Sequence, residues 1–328
     1  MGLDTMNLID AIAEQLRRNQ LPIVTWFDVD QVVRHLFRER HIDGKPLKIR
    51  RTSPSAETFS AVRRALINPQ SLDTGPLAEL IELRSALLEQ SAESTGRLLV
   101  HDMEFPGPVW RVAGVPDGTP EELCCLVDPW CYVSHLSAMQ RWGLSNRNPI
   151  ELHMTRPARA IWHQQARAEL HSLPAPQQGG APLKSRTRIA FPNRLRRRNL
   201  QVFQPAYLGR CVSVADSHAR VATVGQTFWD MVQEPGRCGE MAHVVTVWEE
   251  RAEDYAEEII TTFEDSALPT TNLAFCRAGY LLEEVVHIED ARVAAWTRFG
   301  SRGGSARLDP AAPFVERHSE RWNISINV

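Results

Sequence analysis

The chain has 328 residues, enough for two or three domains with sizeable buried cores. Hydrophobic residues at 43% and charged residues at 23% are those of a soluble globular protein and exclude a chain that is disordered throughout. No apolar run approaches the roughly 18 to 20 residues of a membrane helix, no secretory signal opens the sequence, and Met6 stands where a myristoylation motif needs Ser or Thr, so a cytoplasmic chain is expected.

The net charge of −3 hides an asymmetry. From Arg141 to Arg210 there are thirteen Arg and Lys against Glu151 and Glu169, whereas from Asp230 to Arg292 fifteen acids face four arginines. Opposed blocks suggest an anionic partner for one part, or docking of one part on the other; two solvated faces that balance each other are the plain alternative.

In chain order, "MNLIDAIAEQLRRN" places Leu8, Ile9, Ile12 and Leu16 on one helical stripe. "FDVDQVVRHLFRERH" repeats the pattern with Val29, Val32, Val33, Leu36 and Phe37, starting at Asp28 or Asp30 and ending by His41 to Gly44. In "SPSAETFSAVRRALIN", Ser53 is a candidate cap with Pro54 in the first turn; Phe59, Val62, Leu66 and Ile67 form the buried stripe, and Arg63 and Arg64 point away from it. "GPLAELIELRSALLEQSAES" predicts a further helix, too acidic to face phosphates. "RLLVHDM" and "VWRVAG" then read as a hairpin around "EFPGP". Helices followed by a hairpin are the order of a winged helix, and equally of any compact helical domain with a hairpin.

From about residue 119 the texture changes. "EELCCLV", "IELHMT", "TRIAFP" and "CVSVA" read as short β-rich runs, with "HSLPAPQQGGAPLKSRTR" an exposed loop between the second and third. Beyond residue 220 helices return in "VGQTFWDMVQ", "GEMAHVVTVWEERAEDYAEEIITTFED" and "LPTTNLAFCRAGYLLEEVV". The expected fold is α+β: a winged-helix-like domain with extra N-terminal helices over 1–118, then a larger mixed α/β domain over 119–328 with a helical C-terminal part.

The motifs for catalysis are thin. Cys131 and His135, four apart in "WCYVSHLSAMQRWGL", could act as a thiol–imidazole pair only if both lay on one helical face. Ser134 instead reads as the cap of a helix beginning at His135 and ending at Gly143. None of the six cysteines forms a C-x-x-C pair or a zinc-finger spacing, and no phosphate loop, G-x-S-x-G or H-E-x-x-H is present. No catalytic residue, metal or cofactor is therefore expected.

The strongest raw signal is "KSRTRIAFPNRLRRRNLQVF", where Lys184, Arg186, Arg188, Arg194, Arg196, Arg197 and Arg198 occur with no acid among them. Such density suits phosphate neutralisation. It would equally suit docking on the acidic segment Glu249 to Glu258, or a plain exposed loop.

Three blocks carry a family resemblance. "YVSHLSAMQRWGL" resembles the start of the effector half of AbiEi-type antitoxins. "RVATVGQTFWDMVQEPGRCGEMAHVV" resembles that family's next block, although Glu240 stands where the pattern often has a second glycine. "NLAFCRAGYLLEEV" with "RLDPAAPFVERHSERWNISIN" resembles its C-terminal signature, and together the blocks span residues 130 to 328. The resemblance implies a winged helix ahead of a larger α/β domain, and a DNA-binding autorepressor of a bacterial type IV toxin–antitoxin or phage-defence operon. Its partners would be operator DNA and a nucleotidyltransferase-like toxin, countered without a necessary stable contact. Phosphate contacts are then expected from Arg63, Arg64, Arg111, Lys184, Arg186, Arg188, Arg194, Arg196, Arg197 and Arg198, and a palindromic operator would call for a homodimer. The rivals are an interaction subunit of a defence complex that binds protein or RNA, and an enzyme built on Cys131 and His135.

Overall fold

The computed structural model describes residues 5–49, 51–68, 98–177, 179–265, 272–300 and 306–328. The fold is mixed α/β and divides into two compact units, one of Met1–Thr119 with Trp162–Pro192 and one of Pro120–Ile161 with Asn193–Val328. These are not the contiguous halves 1–118 and 119–328 suggested by the change of texture. Residues 162–192 return to the first unit because their groups are bonded there: Ala181 N–H donates to the Pro54 carbonyl at 2.9 Å, and the Arg34 guanidinium donates to the carbonyls of Ala181 and Pro182.

The first unit opens with α1 (Leu8–Arg18), capped by Asn7, whose side chain accepts from Asp10 N–H. Strand β1 (Ile23–Thr25) runs straight into α2 (Trp26–Glu39). Neither Asp28 nor Asp30 is its cap; Thr25 is, and the Asp28 carboxylate reaches back to accept the Thr25 N–H at 2.8 Å and hydroxyl at 2.7 Å. Arg40, left-handed at φ 61°, ends the helix. A small hairpin follows, β2 (His41–Ile42) and β3 (Lys45–Pro46), turning on Asp43 and Gly44 at φ 50° and 74°. Two positive φ values in a two-residue loop match the right-handed twist of the flanking strands, and Asp-Gly adopts them with little strain.

Helix α3 (Ala56–Ile67) starts two residues later than Ser53 and Pro54 suggest: Ser55 is the cap, sharing a capping box with Thr58. Pro54 instead offers its carbonyl to Ala181. Strands β4 (Leu99–His101) and β5 (Val109–Val112) pair antiparallel as the sequence suggests, and β1 adds to the far side of β5, giving the order β1-β5-β4. Leu8, Ile12, Leu16, Val29, Val33, Leu36, Phe59, Val62 and Leu66 fill the core between helices and sheet. The acidic helix expected over 76–93 lies outside the described residues.

In the second unit "EELCCLV" is not a strand but helix α4 (Pro120–Val127), with Pro120 at its first position and Glu121 and Glu122 in its first turn. Next come β6 (Tyr132–Val133), α5 (His135–Arg141) and β7 (Leu152–Thr155), while α6 (Arg159–Ser172) begins here and from Trp162 onward belongs to the first unit. "TRIAFP" forms no strand. Strands β8 (Arg194–Leu195), β9 (Arg198–Phe203), β10 (Cys211–Ser213) and β11 (Arg220–Ala222) complete a six-stranded sheet in the order β10-β11-β6-β7-β9-β8. Its β11–β6 and β7–β9 pairings are parallel and the others antiparallel.

The C-terminal part is helical as expected, but the long acidic segment breaks into α8 and α9 after α7: α7 (Val224–Gln233), α8 (Met241–Arg251) and α9 (Ala256–Phe263), with a short 3-10 turn before α9. Helix α10 (Asn272–Tyr280) runs on into a π turn over Leu281–Val285, and α11 (Ala291–Ala295) and the pair β12 (His318–Ser319) and β13 (Ile324–Ser325) close the chain. Trp229, Phe263, Phe275 and Trp296 make a chain of ring contacts, and Phe228 meets Trp248 edge-on in the same hydrophobic core. Gly279 has to be glycine, since a Cβ there would lie 2.1 Å from the Trp322 indole. Glu240 keeps φ 73° and ψ 159°, a conformation close to glycine-only, so the turn before α8 keeps a glycine's backbone without a glycine.

Candidate nucleic-acid interface

The basic run is one stretch in sequence and two places in the structure. Lys184, Arg186 and Arg188 belong to the first unit, Arg194 to Arg198 to the second. Lys184 is exposed. Arg186 is not presented to solvent: its Nε donates to both Glu169 oxygens at 2.9 Å, its Nη1 to Asp28 Oδ1 at 3.0 Å, and its guanidinium lies 4.0 Å from the Phe27 ring centroid. Asp28 thus completes the capping box of α2 with one oxygen and anchors Arg186 with the other. Arg188 is half-buried.

Two more of the expected phosphate contacts are already paired. Arg63 Nη2 donates to the Asp30 carboxylate at 2.8 and 2.9 Å, and its guanidinium sits over Trp26. Arg111 bonds Asp117 at 2.6 Å and lies 3.5 Å from the buried Asp102 carboxylate. Arg64, next to Arg63 on α3, is exposed.

The second group is different. β8 and β9 form a hairpin in which Leu195 pairs with Arg198, leaving Arg196 and Arg197 as its two turn residues, at φ 46° and 68°. That is the backbone of the Asp43–Gly44 turn, here held by two arginines. Side chains with a Cβ disfavour the left-handed region, by roughly 1–2 kcal/mol per residue. Leu195 anchors the hairpin from beneath while Arg194 and Arg197 are exposed. Positive charge continues along the sheet: Arg237 lies over the Phe203 ring at 5.1 Å, and burial, then Arg237 and Arg198, hold the His153 imidazole below its ordinary range.

Behind that edge is the cluster of Cys131 and His135. Ser134 caps α5 by position, but its hydroxyl bonds the His135 Nδ1 at 2.7 Å and accepts from Thr155 Oγ1 at 2.8 Å. His135 begins α5 at φ 51°, and burial, with His153 and Arg237 nearby, pushes it down to about 3, so it stays neutral. Asp230, on α7, is buried and pushed up to about 7, with Gln226 and the His135 backbone N–H opposing the rise. As expected, Gly143 closes α5 in the left-handed conformation, its N–H on Gln140 and that of Leu144 on Met139. The Cys131 thiol lies against Cys125, not His135, so the suggested dyad is not assembled.

Among the described residues no group of three or more His, Cys, Asp or Glu could hold a metal ion, and no helix is long and apolar enough to cross a membrane. Sequence reasoning missed the Arg196–Arg197 turn because it lacks the Asn-Gly or Asp-Gly that marks such hairpins; the alternation of Leu200 and Val202 after it was the available signal. It missed Asp230 because nothing around "TFWDMVQ" distinguishes a buried aspartate from a solvated one.

No family model matches the chain, and no curated protein matches it. Among solved structures, the RV2827C protein from Mycobacterium tuberculosis aligns over 98% of this chain and 93% of its own, at 14% identity and a TM-score of 0.41.

Proposed function

We propose that the chain is a DNA-binding transcriptional autorepressor and antitoxin of a bacterial type IV toxin–antitoxin or phage-defence operon, counteracting a nucleotidyltransferase-like toxin. The observation that carries the DNA-binding part is the arginine hairpin: Arg196 and Arg197 hold a strained turn at the tip of a strand pair flanked by Arg194 and Arg198. Strained backbone concentrates where a side chain is wanted for function, and four arginines on one hairpin suit the phosphate backbone. The winged-helix reading of the first unit is supported by its order: a strand follows the first helix, a hairpin follows the third described helix, and all three strands share one sheet with the last strand central. The antitoxin part rests on the three sequence blocks over 130–328.

The test is fluorescence anisotropy with the operon's own upstream duplex against a scrambled one across a salt series. Tighter binding to the native duplex with a steep salt slope is expected; equal, weak binding to both sinks the repressor reading.

One observation favours a second reading, a non-enzymatic interaction subunit binding a protein or RNA partner. Arg63, Arg111 and Arg186 are committed to carboxylates of their own unit, which leaves the first unit with less positive charge to offer DNA than its sequence suggests. Co-purification with a neighbouring gene product, without operator binding, would decide for it.

A further inference from the structure

The end of α4 and the turn that leads to β6 contribute one thiol each to a close pair and are held by two arginines. Cys125 Sγ and Cys131 Sγ lie 3.8 Å apart, both buried. Arg156 grips the turn through Asp128, with Nε at 2.8 Å and Nη2 at 2.6 Å from Oδ2. Arg220, entering from β11, donates to the carbonyls of Cys125 at 2.7 Å, Asp128 at 2.8 Å and Cys131 at 3.0 Å. The backbone carbonyls of both cysteines and of Asp128 are thus tied to one guanidinium, which fixes the main chain that carries the two thiols.

We infer that Cys125 and Cys131 are a redox pair, which a small hydroperoxide such as hydrogen peroxide closes into an intrachain disulfide. The two sulfurs are not equivalent. Cys125 Sγ receives the Cys131 S–H and the Arg220 backbone N–H at 3.4 Å, and these contacts draw its thiol below the usual range, whereas burial drives Cys131 well above it. With the Arg220 backbone N–H aimed at its sulfur, Cys125 is assigned as the attacking thiolate, its proton passing from the Cys131 carbonyl it faces to solvent. Its sulfur takes one peroxide oxygen as the O–O bond breaks, giving a sulfenic acid, and the departing hydroxide takes up a proton as water. Cys131 sulfur then attacks Cys125 sulfur; the S–S bond forms, the S–O bond breaks, and hydroxide leaves with the Cys131 proton as a second water. Two thiols are oxidised and one peroxide is reduced to two waters. The sulfurs must close to about 2.05 Å. That movement pulls on β6, which Cys131 precedes and whose Val133 pairs with Val221 of β11, the neighbour of Arg220. Burial excludes bulky thiol reagents and leaves a small oxidant as the fitting partner.

The experiment uses the full chain, reduced and freed of reductant, exposed to graded hydrogen peroxide, then denatured, alkylated and digested with trypsin. Cys124, Cys125 and Cys131 share the peptide 112–141. The expected product has lost two hydrogens, carries a single alkyl group on Cys124, and is restored by a thiol reductant. Cys124→Ala and Cys211→Ala should still form it, and Cys125→Ala and Cys131→Ala should not. Three alkyl groups on that peptide at peroxide doses that oxidise the half-exposed Cys211 would overturn the pair, as would a link joining Cys125 to Cys211. The wild-type peptide alone decides the matter if a variant fails to fold, and DNA plays no part.

Discussion

The two short hairpins, Asp43–Gly44 in the first unit and Arg196–Arg197 in the second, share a turn geometry and differ in what fills it. In the first, the residues are those the backbone asks for, and nothing about the turn needs a function. In the second, two β-carbons occupy left-handed positions that a glycine or asparagine would fill with less strain. A strained turn kept at the tip of a basic hairpin is what the proposed phosphate contacts would account for. By contrast Arg186, only eight residues before Arg194, serves its own unit through Asp28 and Glu169.

That contrast can be broken most forcefully on the side of arginines used by the fold. Arg156 and Asp128 have side chains 3% and 0% exposed, so Arg156→Met should lower stability by about 3–5 kcal/mol by stranding a buried carboxylate, measured by urea unfolding. A change under about 1 kcal/mol would mean the pair is not a structural one.

A buried carboxyl gives the next effect. Asp230 has a folded-state value of about 7, far above its ordinary 3.8, so the native state holds a proton that the unfolded chain has released. Its contribution is complete below about pH 4 and is lost as pH rises to about 7. Asp230→Asn should flatten that part of the stability-against-pH curve by a few kcal/mol; a curve parallel to wild type would show the carboxyl is ionised in the fold.

Replacing Arg194, Arg196, Arg197 and Arg198 by Ala should weaken DNA binding roughly a hundredfold at low salt, and reduce the salt slope by roughly 0.9 for each phosphate lost. An unchanged slope removes the hairpin from the interface. The smallest effect is the most direct comparison of the two turns. Arg197→Gly should stabilise the protein by about 0.5–1 kcal/mol while weakening DNA binding, and Gly44→Ala should destabilise it by about 1 kcal/mol. Thermal unfolding of both variants measures the pair, and an Arg197→Gly protein no more stable than wild type would remove the strain argument.

The helices of the first unit were legible because Leu8, Ile12 and Leu16, or Val29, Val33 and Leu36, repeat at helical spacing and are buried where that spacing puts them. Their caps were less so: Ser53 is the expected cap of α3, and the fold uses Ser55 because Thr58 completes its capping box. "EELCCLV" was misread because a short apolar run has no period to separate strand from helix. The arginines show the deeper limit. Charge is legible in sequence but its employment is not, since Asp30, Asp102, Asp117 and Glu169 lie far from the arginines they neutralise or are reached only through the fold.

The return of residues 162–192 to the first unit also sets an order of events during synthesis. A ribosome adding 5 to 20 residues per second needs roughly 4 to 15 s to make residues 120–192 after the first pass through that unit is complete. Throughout that interval Asp28 can bond Thr25 at the start of α2 but has no Arg186, and the Arg34 guanidinium has no Ala181 or Pro182 carbonyl to hold. The second unit meanwhile has α4, β6, α5 and β7 but neither β9 nor β11 to pair with them. The nascent chain therefore matures by interleaving its two units, and the first is finished only after residue 192 has been made.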